Sequence, residues 1–273
     1  MKRRDTFMLV ALMLPAGIFF AAFFLLPMVR LFFIGGSGKL GWSAYAAIVT
    51  NANYFQSLLA TLGVAAATTV ATLIISGISG VFLQRHKFPG NAVLVSMLTF
   101  PLAFPGVVIG FMVIMLAGRQ GLIGDITQAM TGEKLVFAYS MAGLFMGYVY
   151  FSIPRVILTV MAATEKLDPK LEEAARSLGA SPVRVVLDVI IPGLKPAFLS
   201  SGAICFATAV GAFGTAFTLA TRINVLPMTI YTEFTLSANI AMAAALSFVL
   251  GAVTWVVLAL ARTAAGSSVA AAG

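Results

Sequence analysis

Residues 171–192 read LEEAARSLGASPVRVVLDVIIP, a charged and polar stretch set between long apolar runs. A charged side chain at the centre of a bilayer costs about 2.5–3.5 kcal/mol on insertion scales, so a lipid-buried segment has no use for such a sequence. The stretch carries its own punctuation. Asp168-Pro169 is an N-cap followed by proline at the first helical position, which predicts a helix over about 169–178. Glu172 and Glu173 fall in or next to its first turn, near the positive end of the helix dipole. Gly179 suits the left-handed residue just past a helix end. Ser181-Pro182 repeats the start signal, and a second short helix is expected to run to about Ile190 and stop at Pro192. The expectation is helix, glycine turn, helix. The first helix carries Leu171, Ala174, Ala175 and Leu178 at helical spacing. A helix this short is marginal in water and needs a partner. That partner is the membrane part of the chain, which the loop would cap, a separate soluble subunit, or both.

The composition around this segment is that of a membrane protein. The 273 residues are 60% hydrophobic and 10% charged, against roughly 25% charged in soluble domains. The net charge of +8 would suggest nucleic acid in a soluble protein. Here it reflects short basic loops that set orientation, and no nucleic acid is expected. Cys205 is the only cysteine, so no intrachain disulfide is possible. The basic start followed by an apolar run from Phe7 imitates a secretory signal, but the run continues to about Ile34, broken by Pro15, Pro27 and Arg30. A signal core is roughly 7–15 residues long, so this is read as an uncleaved first span.

Six stretches reach the ~20 apolar residues that cross a bilayer as a helix: about 7–29, 56–83, 92–117, 135–161, 197–220 and 237–261. The fold class is therefore all-α, six transmembrane helices in one transmembrane domain over 1–273, with core spans at about 56–261 and an inserted loop at 164–196. With the N-terminus inside, eleven basic residues fall in cytoplasmic segments: Lys2, Arg3, Arg4, Arg85, Lys87, Lys166, Lys170, Arg176, Arg184, Lys195 and Arg262. Five fall on the other side: Arg30, Lys39, Arg119, Lys134 and Arg222. The asymmetry predicts both termini in the cytoplasm, loops 84–91 and 164–196 on that side, and loops 35–55, 118–134 and 221–236 opposite. The tail from Ala264 to Gly273 is expected to fray.

The order Glu173-Ala174-Ala175, Gly179, then Val189-Ile190-Ile191-Pro192 resembles the EAA loop of ABC importer permeases, written E-A-A, three residues, G, nine residues, I-x-L-P. Val189 and Ile191 are mild apolar departures from that pattern. Pro101-x-x-x-Pro105-Gly106-x-x-x-Gly110, and Asn224-x-Leu226-Pro227 with Ile230-Tyr231, resemble the subgroup that moves polyamines, phosphonates, sulfate and ferric iron. The resemblance implies a multi-pass protein of the bacterial inner membrane and a pathway formed by two permeases, a paralogous pair favoured over identical copies. It also implies two cytoplasmic ATPase subunits that hold ATP and magnesium, and an extracytoplasmic binding protein that delivers substrate. By the same resemblance Glu173, Ala174, Ala175 and Gly179 lie at the ATPase contact, Leu178 and Ala180 flank the turn as apolar contacts, and Pro192 ends the coupling unit.

The chemistry missing from the sequence agrees. No G-x-x-x-x-G-K-[ST] motif occurs. Gly35-Gly36-Ser37-Gly38-Lys39-Leu40 lacks the leading glycine and carries Leu40 in place of the hydroxyl, and is read as a flexible linker. His86 is the only histidine and lies in a basic loop, so neither a metal site nor a catalytic residue set can be built, and no cofactor is expected on this chain. The spans hold essentially one ionisable residue, Arg155, whose stem is expected to snorkel toward the inner interface. An ion-coupled carrier is disfavoured, and so is an ATP-independent channel. Pro101 and Pro105 should bend the third span. Thr208, Gly211, Gly214 and Thr215 offer a polar lining, so spans three and five are the expected route. Gly106-x-x-x-Gly110 and Gly143-x-x-x-Gly147 suit close helix packing within one subunit. The cargo expected by resemblance is a small polar organic ion, with polyamine or phosphonate ahead of sulfate or ferric iron.

Overall fold

Six helices in the computed structural model are long and apolar enough to cross a membrane: Ala11–Gly35, Ala52–Arg85, Gly106–Thr131, Met141–Lys166, Pro182–Val210 and Ile240–Thr263. The structure describes residues 3–219 and 223–265, and every regular element among them is helical. Lys2, Arg222 and the tail from residue 266, used above for orientation and fraying, lie outside the described residues. Helices are what lipid demands, because no water is present to pair an open backbone.

Two spans depart from the sequence reading at a proline, and a third proline is accommodated within its helix. Residues 92–117 are not one bent span. They form a helix Asn91–Thr99, a 3-10 turn Phe100–Ala103 and a second helix Gly106–Ala117. Phe104 and Pro105 are extended between them, with ψ of 132° and 150°. Pro105 disfavours the α conformation in the residue before it, and with Phe104 extended the helix breaks here. The stretch before the break, Asn91–Ala103, and the helix after it are each roughly 20 Å long, short of a bilayer core of ~30 Å. Spanning length is reached only by continuing from Ala117, past a break at 118–121, into Leu122–Thr131.

Pro192, by contrast, does not stop its helix. Pro182–Val185, a π turn Val186–Ile190 and Ile191–Val210 form one continuous rod, so the fifth span begins at 182 and not at 197. A proline ring collides with the carbonyl four residues back, and a widened turn moves that carbonyl aside. Pro27 is accommodated in the same way by the π turn Ala21–Leu25.

The described residues pack in two groups, Met1–Ser57 with Thr229–Ala252, and Leu58–Met228 with Val253–Gly273. In the first, the apolar face of the first span from Leu12 to Phe33 is largely open. Its far end meets Phe248 through Phe32, in a cluster with Trp42 and Tyr45. The Tyr45 hydroxyl donates to the Phe32 carbonyl at 2.8 Å. Burial pushes this phenol above its ordinary range, so it stays a donor. The glycine run at 35–40 is packed and is not a flexible linker: a Cβ on Gly36 would lie 2.7 Å from the Trp42 ring.

In the second group, Val156, Val160, Val185, Ile190, Leu194 and Cys205 form a core, with Leu73, Val81 and Phe198 against it. Gly80 lets the second span approach the fourth, since a Cβ there would lie 2.9 Å from Val160 Cγ1 and 3.2 Å from the Ile157 carbonyl oxygen. The second span also buries a row of hydroxyls at Ser57, Thr61, Thr68, Thr72 and Ser76. Thr61 accepts the Leu226 backbone N–H at 2.7 Å, and Ser76 donates to the Ile153 carbonyl at 3.3 Å. Overpacking at a close helix contact costs about 1–3 kcal/mol. Gly80→Val should therefore lower the thermal midpoint of the purified protein in detergent. Gly63→Val, with nothing within 4 Å, should leave it unchanged, and equal midpoints would refute this view of the contact.

Candidate functional site

The hairpin starts as its sequence predicts. Asp168 accepts the Lys170 backbone N–H at 3.0 Å and Pro169 opens the helix Pro169–Ser177. At the other end the Gly179 N–H bonds to the Arg176 carbonyl (2.9 Å) and the Ala180 N–H to the Ala175 carbonyl (3.0 Å). This is a Schellman closure, and it holds Gly179 at φ +84°. Ser181 then caps the fifth span through the Arg184 N–H. A 9-residue helix is thus tied at both ends by its own chain.

The helix has two faces. Ala175 and Ala180 turn inward and pack on the core that contains Val156, Val160 and Val185. Leu171, Ala174 and Leu178 turn outward, with Leu178 at 89% exposure and Leu171 at 52%. Glu173 and Gly179 are also exposed. The residues grouped by the resemblance therefore separate: Ala175 and Ala180 anchor the hairpin, and Glu173, Ala174, Leu178 and Gly179 are exposed. Pro192 lies inside the continuous fifth span, exposed, and ends nothing.

Glu172 was expected only to complement the helix dipole, yet it is buried. Its carboxylate lies 2.7 Å from Arg85 Nη2, at the end of the second span, and 3.6 Å from Arg176. The shorter contact has the distance of an ion pair without the alignment of a hydrogen bond. Arg85 Nη2 also donates to the Leu167 carbonyl at 3.1 Å, just ahead of the hairpin. One guanidinium thus joins the second span, the end of the fourth and the hairpin helix. Nothing in the sequence pairs Arg85 with Glu172, because their separation along the chain carries no periodic signal.

The expected pathway residues differ in burial and in what they touch. Thr215 is buried, and its hydroxyl donates to the Gly106 carbonyl at 2.9 Å. Gly214 sits against Val107, with room for no Cβ beyond 3.1 Å. Gly106 and Gly110 receive the helix Phe213–Leu219, so this glycine pair serves packing within the chain. Pro101 is buried and Pro105 exposed. Gly211 is exposed where the fifth span ends. Thr208 is half-buried and accepts a bond from Arg155 Nη1 at 3.1 Å. Arg155 is therefore directed at the fifth span and does not snorkel. A helical side chain leans toward its own N-terminus, which here leads away from the Lys166 end. His86 stacks on Phe82 at 4.5 Å.

Breaking a buried ion pair by removing one partner costs up to about 3–5 kcal/mol, less where both groups keep some exposure as here. Arg85→Gln should accordingly loosen the hairpin. Amide exchange over 169–180 in the purified protein should rise at least tenfold, with the fourth span unaffected. Exchange unchanged from the wild type would show that apolar packing alone holds the helix.

Comparison with known proteins places this architecture. The family described as binding-protein-dependent transport system inner membrane component matches residues 74–265. The chain is 27% identical over 219 residues to a Salmonella typhi permease named for 2-aminoethylphosphonate transport, PhnU, covering 79% of this chain and 76% of that one. It is 32% identical over 182 residues to the molybdenum transport system permease ModB of Escherichia coli, covering 65% and 79%. Against the sulfate transport system permease CysT of Salmonella typhimurium the identity is 29% over 176 residues, covering 64% and 62%. The fold also matches a chain of a bacterial alginate ABC transporter crystallised with its alginate-bound periplasmic protein, at TM-score 0.79, 15% identity and coverage of 97% and 96%. With a match over most of its length and the spans to go with it, the chain belongs to the family of inner membrane permease components of binding-protein-dependent ABC importers.

Proposed function

We propose that this permease imports a small oxyanion, with a phosphonate such as 2-aminoethylphosphonate first and an inorganic oxyanion such as sulfate second, and that the 168–180 hairpin couples it to a cytoplasmic ATPase. The observation that carries the coupling is the two-faced helix. Leu171, Ala174 and Leu178 form an exposed apolar stripe on an element whose opposite face is tied to the core by Ala175, Ala180 and the Glu172–Arg85 pair. A solvent-facing leucine at 89% exposure on a rigid support is suited to a partner's groove, and movement of that partner would pass directly into the second, fourth and fifth spans. The excess of Arg and Lys near this end of the spans supports a cytoplasmic location for the hairpin and both termini. Two ATPase subunits carrying ATP and magnesium, a second and paralogous permease, and an extracytoplasmic binding protein complete the assembly. ATP hydrolysis belongs to the partner. The cargo follows from the relatives named for phosphonate and sulfate transport.

The test is copurification and turnover. The wild-type chain should hold its ATPase stoichiometrically and raise ATP hydrolysis when loaded binding protein is added. Leu178→Asp, at a site with no packing role, should lower that stimulation at least tenfold with expression unchanged. Gly179→Val should act in the same direction, because a β-branched residue resists positive φ. Gly179→Asn should be tolerated better, since asparagine visits that region. Full stimulation in the Leu178→Asp assembly would refute the coupling role. Uptake of spermidine but not of 2-aminoethylphosphonate or sulfate would refute the cargo.

A further inference from the structure

Arg155 is a cation set deep within a span. It lies roughly 21 Å from the Met141 end of its helix and roughly 16 Å from the Lys166 end, at 1.5 Å per residue. Among the described residues no carboxylate pairs with it: the ion pairs join Arg85, Arg176 and Lys134 to Glu172 and Asp125. Of its five N–H donors, one is engaged among the described residues, at the Thr208 hydroxyl. That hydroxyl donates in turn to the Ile204 carbonyl, so it accepts from the arginine with its lone pair. The guanidinium is thereby fixed in place with most of its donors free.

Its surroundings are open. Tyr148, two turns away on the same face of the fourth span, is buried and donates to the Ala212 carbonyl at 2.6 Å. Arg155 is exposed, and Gly211, where the fifth-span helix ends, is exposed too. A lone guanidinium facing hydrocarbon at this depth is strongly unfavourable, and intramembrane cations face cavities or partners instead. An open, unneutralised, positioned guanidinium matches the fork geometry of an oxyanion.

We propose that Arg155, held by Thr208, is the anion-selecting residue of the translocation route: it takes up one phosphonate, sulfate or carboxylate group in passing and disfavours cationic cargo. The existence of a route rests on the importer reading, but the charge effect can be read without it.

The experiment uses the full chain in membranes, in a Cys205→Ala background with Gly211→Cys, an exposed position one turn from Thr208 that leaves the Thr208 hydroxyl in place. Small thiosulfonate reagents of opposite charge are applied and their labelling rates compared. The anionic reagent should be favoured over the cationic one, and adding Arg155→Gln should lower that ratio about tenfold, with Arg155→Lys intermediate. An unchanged ratio would overturn the proposal. So would a position 211 that no aqueous reagent reaches, which would put this end of the fifth span outside any aqueous route. In the assembled importer with native Gly211 and Cys205, Arg155→Gln should cut uptake of 2-aminoethylphosphonate or sulfate at least tenfold, while the ATPase still copurifies. Unaltered uptake would count equally against it. Loss of the ATPase from the wild-type chain would sink the importer reading, whereas the labelling ratio would still decide the role of Arg155.

Discussion

Every backbone N–H and C=O inside hydrocarbon must find a partner within the protein. This constraint shapes each irregularity of the chain. Prolines meet it in three ways: some follow a widened turn, one marks a break, and Pro15, Pro154 and Pro196 sit inside α-helix. Pro27 and Pro192 follow π turns that keep the rod continuous. Pro105, preceded by an extended residue and flanked by glycine, ends one helix and lets another begin. The broken region is then covered by the helix Phe213–Leu219, whose Thr215 and Thr218 hydroxyls donate to the carbonyls of Gly106 and Val107. Glycines at 106 and 110 are what allow that helix close enough to do so.

The hairpin solves a different problem. A 9-residue helix cannot hold itself in water, and its outward stripe gains nothing from its own chain. Stability comes from the caps, from two small residues packed on the core, and from one arginine that meets both a carboxylate and a backbone carbonyl. Rigidity on one face leaves the other exposed.

The fifth span and the short helix after it show how burial redistributes polar groups. Thr215 and Thr208 are close in sequence and alike in chemistry, yet one is consumed by helix packing and the other orients a guanidinium. The hydroxyl row of the second span, from Ser57 to Ser76, is likewise internal: Ser76 bonds to the fourth span and Thr61 to the loop at Leu226.

Hydropathy alone determined that the chain is helical and crosses a membrane six times, since apolar run length and the absence of water leave no other solution. Local punctuation determined the hairpin's first helix: Asp168-Pro169, Gly179 and Ser181-Pro182 act through neighbouring backbone groups, so they are legible residue by residue. Only tertiary structure decided which residues of that hairpin face outward, that Arg85 meets Glu172, and that Arg155 reaches Thr208. These pairings join positions 87 and 53 residues apart, as numbered in the chain, and are set by how the spans pack. The proline outcomes were also undecided in sequence, because whether a helix widens or breaks depends on what stands beside it to take up the displaced carbonyl.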